Sequence, residues 1–210
     1  MSQSRRGPGL ILFVLFAGCR TPDRADPELR AALVARAAED QRVILDQAAH
    51  ATESAYSRRV TATLRSNAAW LDSIVVTSSW PGFARVDSIG AHDAFLIAQH
   101  SDSSPVLQRR FLEALRAAVT AHDALPQDLA YLEDRVRKAD ARPQLYGTQP
   151  AYDSSGNAIQ PLVETPESLE TRRARVGLMP MAKYLEQMRA TNAALRAMQS
   201  AATKLHSSRH

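Results

Sequence analysis

The sequence predicts a mainly α protein, a helical bundle of about six to seven helices with one β-hairpin inserted at about residues 144–163. Three observations carry that prediction. Alanine, the strongest helix former, supplies 36 of the 210 residues, while glycine supplies eight, three of which (Gly7, Gly9 and Gly18) precede residue 19. Apolar residues recur at helical spacing along most of the chain. Between Pro143 and Pro166, by contrast, four of the eleven prolines gather and alanine thins out, so the helical plan is interrupted there. The length and a hydrophobic content of 45% fit one globular domain and exclude a disordered chain.

The first segment reads as an address. Arg5 and Arg6 give a positive start, Leu10 to Phe16 is an unbroken apolar run, and small residues lead to Cys19. That is a secretory signal, too short to span a bilayer, which needs about 20 residues. Cys19, the single cysteine, stands where bacterial lipoprotein signals carry the residue that is lipidated and becomes N-terminal, with Phe16 where Leu is usual. An ordinary signal peptide with an incidental cysteine is the alternative. Acyl chains such as palmitate on Cys19 would anchor the chain to a membrane without a spanning helix. Arg20 is not the Asp that favours inner-membrane retention in enterobacterial-type sorting, which points to the periplasmic face of the outer membrane. The expected divisions are a leader at 1–18, a tether at 19–27, a helical domain at 28–205 and a disordered tail at 206–210.

Loss of the leader leaves 24 basic against 22 acidic residues, and a nucleic-acid partner is not expected from so small an excess. Residues 168–210 keep eight Lys or Arg against two acidic residues, a patch that suits anionic lipid or an acidic partner, or simply a solvated helix face.

Pro27 suits a first helical turn, and the 53 residues from Glu28 to Trp80 contain neither Gly nor Pro. One helix of that length would reach roughly 80 Å, so two are expected, broken near His50 to Ser54. Trp80-Pro81-Gly82 makes a turn. Val86 to His100 carries Val86, Ile89, Leu96 and Ile97 at helical spacing. Pro105 opens a helix striped by Leu107, Phe111, Leu115 and Val119, and Pro126 opens another with Leu125, Leu129, Leu132 and Val136. Gln144 to Tyr152 and Ala158 to Val163 flank Asp153-Ser154-Ser155-Gly156-Asn157 as the hairpin. Helices from about Pro166 to Val176 and Met181 to Leu205 follow. In the last, Met181, Tyr184, Met188, Thr191, Leu195, Met198, Ala202 and Leu205 form a heptad seam, which packs either on the first two helices or on a protein partner or second copy.

No metal cluster, zinc spacing, phosphate loop or nucleophile elbow is present, so no metal or cofactor is expected. Four polar runs remain: Gln99-His100-Ser101-Asp102, Asp134-Arg135-Val136, Gln144 to Gln149, and Glu170-Thr171-Arg172-Arg173. Their order and wording, with Asp40-Gln41, Trp80-Pro81 and Val176-Gly177-Leu178, resemble an uncharacterised bacterial family, the domain of unknown function numbered 6624, over about residues 28–186. The most specific part of the resemblance is Tyr146-Gly147-Thr148-Gln149. Ser78-Ser79 stands where that family commonly has His-Gly, Asp87 where it often has Gly, and Glu170 where it has Asp. The resemblance implies no known activity.

Two function classes follow from the residues. In the first the chain is a lipid-anchored envelope module that binds a ligand or partner. Its candidate contacts are Trp80, Gln99, Asp102, Arg135, Gln144, Tyr146, Thr148, Gln149, Glu170 and Arg173. In the second it is a hydrolase or transferase with His100 as general base, oriented by Asp102 or Asp134. Arg135 or Arg173 would then hold an anionic group, and Tyr146 or Thr148 would bond the substrate. Each run also has a plain structural use: His100 could satisfy helix-terminal carbonyls, Asp134 and Arg135 could be an ion pair or anchor, and Gln144 to Gln149 could be an ordinary sheet edge.

Overall fold

The computed structural model describes residues 25–49 and 54–207. Among them are seven α-helices and one two-stranded antiparallel sheet. The leader, Cys19, most of the tether and the last three residues of the tail lie outside the described residues, as do residues 50–53 of the break expected near His50 to Ser54, which lie between α1 (Pro27–Ala49) and α2 (Ser54–Ser78).

Asp26, at the end of the expected tether, is tied to the domain. Its carboxylate accepts the Leu29 N–H at 2.9 Å, capping α1, and pairs with Arg85 at 2.9 Å. α3 (Phe83–Gln99) runs through the middle and packs on α1, α2, α4 (Pro105–Thr120) and α5 (Pro126–Ala139). The core between them is filled by Leu33, Leu71, Trp80, Ile97, Phe111, Leu115 and Leu132, all buried. Gly82 is required at the start of α3 because a Cβ there would lie 2.0 Å from the Asp123 carboxylate. That close approach lets Asp123 accept the N–H groups of Phe83 and Ala84.

Three expectations need correction. The stripe on α3 is not continuous, since Asp87 sits at φ +57° inside the helix and resets its phase. Val86, before the kink, is buried, whereas Ile89, after it, is 55% exposed. The Asp87 carboxylate accepts the N–H groups of Ile89 and Gly90, restarting the helix as an N-cap would. Ser79 also has a positive φ, +68°. Both are conformations that glycine adopts without strain.

The hairpin exists, but its strands are only β1 (Ala151–Tyr152) and β2 (Ala158–Ile159). Residues 144–150 do not extend β1, because their N–H groups turn inward to a side chain and Gly147 turns the chain at φ +67°. Gln144 instead makes an isolated parallel bridge to Val163.

After a 3-10 turn at Pro166–Ser168 and α6 (Leu169–Arg175), α7 (Met181–Ser207) packs mainly on the hairpin segment, and of the first two helices it meets α1 to a lesser extent. Met181, Tyr184 and Leu185 form a second cluster with Ala158, Val163 and Leu169, joined to α5 through Tyr131. Thr191 and Leu195 are exposed. The side chains of Met198, Ala202 and Leu205 lie outside the described residues.

Candidate functional site

Asp134, on α5, is fully buried and organises the irregular segment that follows it. Its carboxylate accepts the N–H groups of Leu145 at 2.7 Å, Tyr146 at 3.2 Å and Thr148 at 2.8 Å, and the Thr148 hydroxyl at 3.0 Å. Burial pushes this carboxyl above the usual range while the same donors pull it down. Gln144 closes the segment by copying a strand pair with its side chain. Its amide donates to the Gln149 carbonyl at 2.8 Å and its Oε1 accepts the Gln149 N–H at 3.0 Å.

Arg173, on α6, holds the segment from beneath. It is buried, with Nη1 donating to the Tyr146 carbonyl at 2.6 Å, Nε donating to the Met179 carbonyl at 2.7 Å, and its guanidinium 5.1 Å from the centre of the Tyr184 ring. Burial lowers its pKa. The Tyr184 hydroxyl donates to the Thr148 carbonyl at 2.6 Å, fastening α7 to the same loop. Glu170 is exposed and accepts the Met181 N–H at 3.1 Å, capping α7.

Around this scaffold lies a groove of about 360 Å³. Gln99, Arg135, Thr148 and Gln149 line it, so four of the sequence candidates meet at one concavity. Arg135 donates to both Asp102 oxygens, one at 2.9 Å, and its Nη1 donates to Gln149 Oε1 at 3.1 Å. Burial raises the Asp102 carboxyl, but the Arg135 guanidinium and Gln108 bring it below the usual carboxylate range. Gln99 Oε1 is buried with no hydrogen-bond partner among the described residues. The remaining lining was not read from the sequence: Tyr131, Tyr152 and Tyr184 supply rings, Met179, Met188 and Pro150 apolar surface, and Gln187 an amide.

His100 does not line the groove. It follows α3, and its Nδ1 lies 3.7 Å from Asp40 Oδ2, too far for a hydrogen bond; both atoms are buried and have no hydrogen-bond partner among the described residues. Asp40, on α1, also accepts from Asn67 Nδ2 at 2.6 Å, and Arg36 in turn donates to Asn67. The carboxylate facing His100 is therefore Asp40, not Asp102 or Asp134. Arg173 and the Thr148 hydroxyl are likewise turned to Tyr146, Met179 and Asp134 and not toward a common substrate. Trp80 is buried in the main core, 4% exposed, away from the groove lining.

A second histidine has no counterpart in the motifs. His92 Nδ1 lies 3.0 Å from both oxygens of Asp128, joining α3 to the first turn of α5, with its ring tilted on Phe95. Its hydrogen bond to the Asp128 carboxylate raises the pKa of His92.

The model of the family of unknown function DUF6624 matches residues 27–195, most of the chain. The chain belongs to that family. No curated protein and no solved structure matches it. In this DUF6624 member the motifs interlock physically: Asp40 faces His100, Asp102 holds Arg135, Arg135 reaches Gln149, Gln149 closes on Gln144, and Asp134 and Arg173 fix the loop between them. Asp40 was readable from the Asp-Gln pair, whereas nothing local marks His92 or Asp128, which lie 36 positions apart.

Proposed function

We propose that this DUF6624 protein is a lipid-anchored module of the bacterial cell envelope, held by Cys19 at the periplasmic face of the outer membrane, that binds a small polar ligand in the groove beside Arg135. The groove carries the reading. Two of its lining residues are fixed by buried hydrogen bonds, Thr148 donating to Asp134 and Gln149 paired with the Gln144 side chain, so this part of the lining is pre-positioned, as ligand sites are. The anchor is supported by the apolar run and Ala17-Gly18-Cys19.

Two experiments test it. Cells fed an alkyne-tagged palmitate are expected to label the full chain and not Cys19→Ser; equal labelling overturns the anchor. Thermal unfolding against a panel of small envelope compounds is expected to show a saturable rise in Tm for at least one of them, as binding to the folded state alone requires, and to lose it in Gln99→Leu. A flat response across the panel overturns the binding module.

A further inference from the structure

Resting on that reading of the groove, we infer that its ligand is an uncharged sugar, one or two rings long. Charge is the first discriminator. Among the described residues that line the groove, Arg135 alone is charged, and its guanidinium is already occupied by the Asp102 carboxylate and the Gln149 amide oxygen. A phosphate, carboxylate or ammonium ligand would meet no free counter-charge, and would have to break that pair to obtain one.

The surfaces that are free have a different chemistry. Tyr152 is 53% exposed, and Met179 beside it is 37% exposed. Tyr184 and Tyr131 stand edge to face with centroids 6.5 Å apart, but Tyr184 is only 5% exposed and its hydroxyl is engaged by Thr148, so the ring surface open to a ligand comes chiefly from Tyr152. Against this apolar wall stand amides. Gln99 Oε1, buried without a partner among the described residues, calls for a donor, and the exposed Gln187 brings both an acceptor and donors. A sugar ring matches both, with C–H groups on one face for an aromatic ring and hydroxyls around the edge for paired amide contacts.

An uncharged peptide is the competing ligand, and the backbone disfavours it. Peptides commonly dock by extending a sheet edge through main-chain hydrogen bonds. Here β1 is two residues long and follows Pro150, which has no N–H to give. The volume of about 360 Å³ lies toward the small end for ligand pockets and suits a mono- or disaccharide.

Saturation-transfer NMR on the full chain, in a detergent without a sugar headgroup, tests this with four probes: N-acetylglucosamine, its disaccharide, a capped uncharged tripeptide and inorganic phosphate. Transfer is expected to the ring protons of one or both sugars. Comparing monosaccharide with disaccharide tells a free sugar from a glycan segment. Tyr152→Ala and Gln99→Leu should each weaken sugar binding at least tenfold, and Tyr152→Ala should leave the unfolding midpoint unchanged because its ring is half exposed. Binding of the tripeptide or phosphate without either sugar overturns the sugar while the groove reading stands. No transfer to any probe, or sugar binding indifferent to both substitutions, overturns the proposal.

Discussion

Asp134 holds Thr148 twice, accepting its N–H at 2.8 Å and its hydroxyl at 3.0 Å, while the other carboxylate oxygen takes the Leu145 N–H at 2.7 Å. Both oxygens face donors, so no orientation of an amide at this position satisfies them all. Asp134→Asn is therefore expected to destabilise the protein by about 3 kcal/mol, the scale for stranding buried N–H groups and losing bonds to a charge. Urea unfolding measures the loss. Hydrogen exchange at Leu145, Tyr146 and Thr148 should accelerate more than at α1 core amides. A loss under about 0.5 kcal/mol, the range of inert surface changes, would show that the loop is held by other means.

Ser79 and Asp87 both adopt positive φ, and the Asp87 carboxylate also caps the helix that restarts there. Ser79→Gly removes left-handed strain and adds freedom to the unfolded chain, so a net gain of about 0.5–1 kcal/mol is expected. Asp87→Gly relieves a positive-φ, extended conformation (φ +57°, ψ −176°) but also removes a carboxylate that accepts two N–H groups and pairs with Arg30. A lost N-cap contributes about 1 kcal/mol, so this change should be close to neutral. Thermal unfolding of the two variants separates the cases. Equal gains would mean that the Asp87 cap contributes nothing.

The helices were legible because their signals are local: Pro27, Pro105 and Pro126 begin α1, α4 and α5, and the stripes of α4 and α5 need no tertiary information. The exposure of Ile89 was not legible, since a kink at Asp87 rests on one residue tolerating an unusual φ. The segment 144–150 alternates polar and apolar residues as a strand does, yet one buried carboxylate eleven to fourteen positions earlier takes its N–H groups. The groove was half legible. Its polar members lie in recognisable runs, while Tyr131, Met179 and Met188 sit in ordinary helical or loop sequence and join it only through packing.

His92 and Asp128 form a second testable link. Because the bond to Asp128 raises the folded-state pKa of His92 above its usual value near 6.5, the bond's contribution is fully present below about pH 6.5 and fades as pH rises through the raised value. The His92 side chain is 45% exposed, so solvent screening holds the effect to under about 1 kcal/mol. Unfolding free energy measured from pH 5.5 to 8.5 should decline in the native chain and decline less in His92→Gln. A slope that the substitution leaves unaltered would assign the pH dependence elsewhere.

Arg173 bridges two carbonyls, those of Tyr146 and Met179, from a buried position with no carboxylate within 4 Å among the described residues. A guanidinium does this because its Nε and Nη donors diverge in a fixed plane. A lysine ammonium is a single point that satisfies one carbonyl and strands the other. Arg173→Lys is thus expected to destabilise by about 2 kcal/mol despite keeping the charge. The buried amine also has its pKa depressed, so the deficit should shrink as pH rises and the folded state sheds the proton. Arg173→Met strands both carbonyls but removes the charge that burial penalises, and its deficit should not vary with pH. Denaturation of both variants at pH 6 and pH 9 decides the point. A lysine variant as stable as the native chain, or one whose deficit grows at pH 9, would show that the guanidinium geometry is not what holds the loop.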